Sequence, residues 1–309
     1  MSYHLKRSDA SVQDGVRRIA VSQINAALAE LHDEALDVHE TVHQVRKRCK
    51  KLRGLIRLVR PAFADYKKEN AVLRGAAAQL SHVRDAQAMI ETYDYVVQVY
   101  DDTVERQTFE PIRRRLTQRK KRIAKEKGLD DKLSNFRGTM VETRDRAARW
   151  TLDDEGFGAV GGGLAKTYKR GVKALARARD EPTADNLHEL RKRVKYHWYH
   201  ARILRSIWPD IVGAHRDVAD RLADLLGEHH NLAVFRPMLL ADPEAFGNSK
   251  DVEAFIGLIE RRQAALAADA FAIGIRFFAE EASAFRRRWE AYWHARRDEE
   301  ALRKAYRAR

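Results

Sequence analysis

His43-Gln-Val-Arg-Lys-Arg-Cys-Lys-Lys-Leu-Arg-Gly-Leu-Ile-Arg57 and His188-Glu-Leu-Arg-Lys-Arg-Val-Lys-Tyr-His-Trp-Tyr-His-Ala-Arg202 are two versions of one pattern. Each opens with a histidine and carries Arg-Lys-Arg at the third to fifth positions after it. At 100° per residue, Val42, Val45, Cys49, Leu52, Ile56 and Val59 share one helix face, a core-facing stripe. His43, Arg46, Lys47, Lys50, Arg53 and Arg57 fall on the adjacent face, over about 21 Å of helix axis. In the second stretch Leu187, Leu190, Val194 and Leu204 form the apolar stripe. His188, Arg191, Lys192, Lys195, Tyr199 and Arg202 form the basic side.

Outward from these two segments, apolar residues recur at three- and four-residue spacing from about Val12 to the C-terminus, and strand-like alternation is scarce. The chain reads as all-α. The first basic helix is expected over 36–60, ending at Pro61. The second is expected over about 183–208, ending at Pro209, because proline cannot continue a helix and disfavours helical geometry just before itself. A second echo follows each histidine, Leu-Ser-His-Val-Arg-Asp-Ala at 80–86 and Leu-Gly-Glu-His-His-Asn-Leu at 226–232. Basic amphipathic segments near 104–125 and 280–305 are expected to close the two halves. Thr151 to Gly163 holds five glycines, which predicts a linker rather than a helix. The chain therefore divides into a first repeat (1–150), a glycine-rich linker (151–163) and a second repeat (164–309), two helical bundles related by a pseudo-twofold axis.

The 309 residues suffice to bury a substantial core, and the apolar periodicity argues against disorder. The formal net charge is +14 and the pI about 9.9. This balance points to a polyanionic partner: nucleic acid, an anionic membrane surface or polyphosphate. Cys49 is the single cysteine, so an intramolecular disulfide is impossible, and its place on the apolar face makes it a small core residue. No signal peptide and no run of about 18 apolar residues is present, so a cytoplasmic protein without a membrane span is expected.

From His43 to Arg57 the chain carries seven Lys or Arg and no Asp or Glu. Like charges at i,i+4 weaken a helix, so acids from other helices or a bound polyanion must offset them. Arginine suits multidentate contact with phosphate oxygens, and lysine adds a compact charge. Asp37 with Glu40 resembles a capping box, and Pro182-Thr183 could begin the second helix. Both histidines then sit near helix N-termini, which favour anions. A histidine there can donate to phosphate and gains charge as pH falls.

His39-Glu40-Thr41-Val42-His43 also matches H-E-x-x-H, a zinc protease signature. Arg46, Lys47 and Lys50 crowd the supposed ligands, the extended signature is missing, and Ala184 stands where His39 would recur. No metal site is therefore assigned. His197, His200, His229 and His230 lack a cysteine or carboxylate framework. Trp150, Trp198, Trp208, Trp289 and Trp293 read as core or interface anchors. No P-loop, G-x-S-x-G or dinucleotide fingerprint occurs, and no cofactor is expected.

Val42-His43-Gln44-Val45-Arg46, followed by Lys50-Lys51-Leu52-Arg53, resembles the first helix motif of the CHAD family, the conserved histidine α-helical domain. Leu187-His188-Glu189-Leu190-Arg191-Lys192-Arg193-Val194-Lys195 resembles its second motif more closely. Arg84-Asp85 and the stretch 278–289 are also family-like. The resemblance implies two four-helix bundles, together one domain, facing each other around a basic central cleft. It further implies binding of inorganic polyphosphate without catalysis. That role carries over to His43, Arg46, Lys50, Arg53, His188, Arg191, Lys192 and Lys195, and by extension to Lys47, Arg57 and Arg202. Lys47 stands where the family often has valine, Trp198 where a basic residue is common, and Arg202 where an acidic one is common.

The expected function is that of a polyphosphate-binding module, associated with polyphosphate granules and open to other polyanions. A non-specific nucleic-acid binder fits the charge, but no recognition motif and no aromatic platform interleaves with the stripe. A metal-dependent phosphohydrolase would need clustered carboxylates that the stripe does not offer.

Overall fold

Apolar spacing of three and four residues becomes eleven α-helices in the computed structural model, which describes residues 2–103, 105–126 and 128–307 and has no β-strand among them. Met1, Val104 and Arg309, each an edge of an expected segment, lie outside the described residues, as do Lys127 and Ala308. In chain order the helices are α1 (Val12–Glu30), α2 (Val38–Leu58), α3 (Tyr66–Gln79), α4 (Ser81–Val99), α5 (Arg106–Ala124) and α6 (Leu129–Ala147). They continue as α7 (Gly156–Asp180), α8 (Ala184–Leu204), α9 (Pro209–Ala241), α10 (Ser249–Phe277) and α11 (Ala282–Arg307). None is long and apolar enough to cross a membrane.

Local chemistry sets the starts of the two basic helices. The Asp37 carboxylate accepts the Glu40 N–H at 2.8 Å, and the Thr183 hydroxyl accepts the Asn186 N–H at 3.3 Å. Caps of this kind each contribute about 1 kcal/mol. α8 stops at Leu204 and passes through a 3-10 turn, Arg205–Ile207. Pro209 then opens α9 at its first position, where the missing N–H costs nothing.

The glycine-rich stretch differs from its reading as a linker. Of this stretch only residues 151–155 lie in the connection from α6 to α7, which runs over 148–155, and they are tied down: Asp153 N–H donates to Ala62 O at 2.8 Å and Leu152 N–H to the Gln13 amide oxygen at 2.9 Å. From Gly156 onward the chain is helical. The glycines serve close packing: a Cβ on Gly163 would lie 1.8 Å from the Leu58 carbonyl oxygen. α7 thus approaches the end of α2 to a distance that no side chain allows, and that contact offsets the poor helix propensity of glycine. The basic segment near 104–125 becomes α5 but does not close the first half, because α6 follows it; α11 closes the second half as expected.

One apolar core runs through both halves, with Ile19, Leu52, Phe136, Leu164, Val194, Leu222, Phe285 and Trp289 buried in it. A second core gathers α4, α5, the C-terminal part of α9 and the first part of α10 around Tyr93, Phe109, Phe235 and Phe255. Cys49 is fully buried, and burial raises its thiol pKa to about 12, as a small core residue requires. Trp150, Trp289 and Trp293 are buried; Trp208 is 44% exposed and meets the Tyr292 ring edge-on.

Candidate polyanion site

α2 and α8 touch where α2 has a glycine. A Cβ on Gly54 would meet Tyr199 Cβ at 2.8 Å, so Tyr199 of α8 packs directly on the α2 backbone. The neighbouring His200 donates its Nε2–H to Gly54 O at 3.2 Å. Burial lowers the His200 pKa to about 3, so the ring is neutral. Tyr199, read on the basic side of α8, is instead buried in this contact.

The first stripe keeps its Lys and Arg residues out of ion pairs, although the Asp85 charge acts on Arg46. Arg46 donates through Nη1 to Ala77 O, and Arg53 donates through Nε to the Asn70 side-chain oxygen at 3.3 Å. Lys47 and Lys50 are exposed. Among the described residues no Asp or Glu makes an ion pair with Arg46, Lys47, Lys50, Arg53 or Arg57, whereas Arg48, on another face, holds Glu30 at 2.5 Å. Arg57 departs from its neighbours. It is buried, stacks 3.9 Å from the Tyr196 ring centroid and donates to Arg53 O at 3.2 Å, so its guanidinium belongs to the helix contact more than to the open surface.

The second stripe is partly neutralised. Lys192 holds Glu189 at 2.5 Å and Lys195 holds Asp220 at 3.3 Å. The Arg191 guanidinium lies over Gly227, where a Cβ would come 3.4 Å from its Nε. His188 stacks on His230 with ring centroids 3.9 Å apart. Arg202 lies 4.6 Å from the Trp198 ring centroid, and Lys195 lies 3.9 Å from the same ring. An aromatic side chain does interleave with this stripe, which was not expected, but cations already occupy its vicinity.

The two stripes act on each other electrostatically. Lys50 reaches water, yet surrounding protein lowers its pKa to about 8, and Arg46, Arg191, Arg84 and Lys195 reinforce the shift. Two of these cations come from α8 and one from α4. Burial, with Arg84 next, lowers the His43 pKa; burial, with Lys192 next, lowers that of His188. Arg46 Nε, Arg191 Nε and His188 Nδ1 are buried without a hydrogen-bond partner among the described residues. Such donors are costly to leave unmade, and anionic oxygens satisfy them.

The helix N-termini play a smaller part than expected. Asp37 and Thr183 cap them, and His43 and His188 lie in the second turn, beyond the free N–H groups. The H-E-x-x-H pair is split: His39 is buried with Nδ1 at 3.2 Å from Val83 O, whereas His43 lies within the field of Arg84. No group of three or more His, Cys, Asp or Glu able to hold a metal occurs among the described residues.

Two residues of the site went unassigned in the sequence, Arg84 beside His43 and His230 on His188. The echoed segments 80–86 and 226–232 contained the signal, because Arg84 and His230 occupy the same place in each. Arg84 is also held by Glu91 at 2.7 Å.

The sequence matches the CHAD domain family over residues 18–240. The fold is similar to the crystal structure of the CHAD domain from the plant Ricinus communis, with a TM-score of 0.64 and 15% sequence identity, covering 91% of this chain and 98% of that one. No curated protein matches.

Proposed function

The chain belongs to the CHAD domain family, and from that premise we propose that it binds inorganic polyphosphate, without catalysing its turnover, in a basic cleft between α2 and α8. The observation that carries this reading is the crowding of Lys50 by Arg46, Arg84, Arg191 and Lys195, cations from three helices with no carboxylate on the first stripe. Asp220 and Glu91 offset Lys195 and Arg84 only in part, and each like-charge contact with Lys50 costs energy. A linear polyanion reverses the sign of every one of those terms. His43, Arg46, Lys47, Lys50 and Arg53 would line one wall, and His188, Arg191, Lys192 and Lys195 the other. Arg57 and Arg202 would support the aromatic contacts between the walls. Arg84 and His230 would extend the site onto α4 and α9. The reading places the protein in the cytoplasm, in association with polyphosphate granules.

Nucleic acid is the second reading, because its backbone carries the same charge. It is weaker because the aromatic rings at the stripe are engaged: Tyr196 by Arg57, and Trp198 by Lys195 and Arg202. Base stacking needs a free ring face. Calorimetric titration with long-chain polyphosphate, in EDTA and near-physiological salt, separates the readings when run beside single-stranded DNA of equal charge. Binding of polyphosphate alone is expected; equal binding of both would reduce the site to a general polyanion surface.

A further inference from the structure

The cleft does not account for the most basic helix of the chain. Between Arg113 and Lys125, α5 and its C-cap carry eight Lys or Arg and no Asp or Glu. Arg113 is paired with Asp94 at 2.7 Å, and Lys120 reaches Asp37 at 4.0 Å. Arg114, Arg115, Arg119, Lys121, Arg122 and Lys125 are exposed and make no ion pair with a carboxylate among the described residues. At 100° per residue Arg115, Arg119 and Arg122 fall within about 60° of one another, over about 10 Å of axis. They line a cavity of about 310 Å³ between α5 and the end of α9. Phe109, Ile112 and Leu116 bury the adjoining face of α5 in the second core, so the helix cannot rotate to disperse these charges.

We propose that this groove is a second, separate site for chains of inorganic phosphate, with Arg115, Arg119 and Arg122 as its ligands. The spacing gives three guanidinium groups to successive phosphates, and guanidinium binds phosphate oxygens two at a time. Met238 and Phe246 form the apolar wall, and the Arg119 guanidinium packs on the Met238 sulfur. Phe246 is buried, so the groove offers no aromatic face to a base, which favours a phosphate chain over nucleic acid. Asp242 is the one carboxylate in the lining, and it leaves a surplus of two positive charges there. The proposal goes beyond the cleft reading and stands if that reading fails.

Tripolyphosphate is the probe, since it is short enough to report each site singly. Titration of the intact chain is expected to show two sites. Arg115→Gln/Arg119→Gln/Arg122→Gln should show one, with unchanged melting because the three side chains are exposed. Lys50→Glu/Lys195→Glu should leave only the α5 site. For long-chain polyphosphate the triple variant should lower the slope of log affinity against log salt by about two. Arg119→Glu alone should weaken the α5 site tenfold or more, and serves if the triple variant folds poorly. Two sites persisting in the triple variant would overturn the proposal. So would loss of binding to single-stranded DNA with tripolyphosphate binding intact. If the intact chain shows one site that the α5 variant removes and the cleft variant spares, the cleft reading fails and this one holds.

Discussion

His200 of α8 donates to the backbone carbonyl of Gly54 in α2, fastening the two basic helices at one point. Because Tyr199 packs on the same glycine, the crossing is set by a missing side chain on one helix and an aromatic on the other. Gly54→Ala places a Cβ 2.8 Å from Tyr199 Cβ. Overpacking costs about 1–3 kcal/mol, against about 1 kcal/mol regained in helix propensity. Denaturant titration should show a net loss of up to about 2 kcal/mol, and polyphosphate affinity should fall as the stripes shift apart. Unchanged stability and affinity would separate the crossing from the site.

A deeper packing constraint lies at Gly163, where an added Cβ would meet the Leu58 carbonyl at 1.8 Å. Backbone atoms cannot move aside as a side chain can. Gly163→Ala should cost about 3 kcal/mol, at the upper end of overpacking penalties, by forcing α7 from α2. Chemical denaturation checks it, and a neutral result would contradict the packing role assigned to the glycine-rich start of α7.

These two glycines show where the sequence was legible and where it was not. Helical periodicity identified the apolar stripe of α2 without reference to the rest of the chain, and Val42, Val45, Cys49, Leu52 and Ile56 are all buried. The basic face was legible by the same rule, because it needs only the helix period. Gly156 to Gly163 was misread, since glycine favours a flexible link in isolation and close helix contact in context, and only the partner helix decides between them. Arg57 was placed on the correct face, but its burial depends on Tyr196 of α8, a tertiary neighbour invisible to periodicity. Arg84 stood out in a family-like pair and His230 in the echoed segment, but neither could be tied to His43 or His188, because the helices carrying them are distant in sequence from the histidines they adjoin.

Lys50 should trade stability for binding. Its charge sits among cations, so Lys50→Met removes repulsion as well as the proposed ligand contact. Its melting temperature should rise relative to the parent protein, while polyphosphate affinity falls tenfold or more, the size expected for one charge-assisted contact. A variant that both melts lower and binds normally would contradict the electrostatic role given to this residue.

The same group sets opposite pH dependences for stability and binding. Desolvation by the protein packed around it, with Arg46 and Arg191 adding to it, lowers the folded pKa of the solvent-reaching Lys50 from 10.5 to about 8. Between those values the unfolded chain holds the proton more firmly than the folded one, so stability from this group rises as pH increases from about 8 toward 10.5. Binding runs the other way, because deprotonated Lys50 offers no charge. Affinity measured from pH 7 to 9 should fall as stability rises, and Lys50→Met should flatten that part of both profiles. Parallel rises in both would contradict the assignment.

His43 and His188 have pKa values lowered from 6.5, burial being the main cause in each. A bound polyanion favours their charged forms, so binding near pH 6 should draw protons from solution. Calorimetry in buffers of different ionisation enthalpy measures that uptake. His43→Gln/His188→Gln should lower it, and equal uptake in the variant would assign the protons elsewhere.

The central claim is that the α2 and α8 stripes act as one phosphate-binding surface. Its most direct test is the affinity of long-chain polyphosphate for Lys50→Glu/Lys195→Glu, measured by calorimetry beside the intact chain and with circular dichroism as the control for folding. At the cleft, at least a hundredfold loss of affinity with unchanged helical content is predicted, since two charges are reversed at the point where the stripes meet, each worth more than one charge-assisted contact. Unaltered affinity at that site in a fully helical variant would contradict the account.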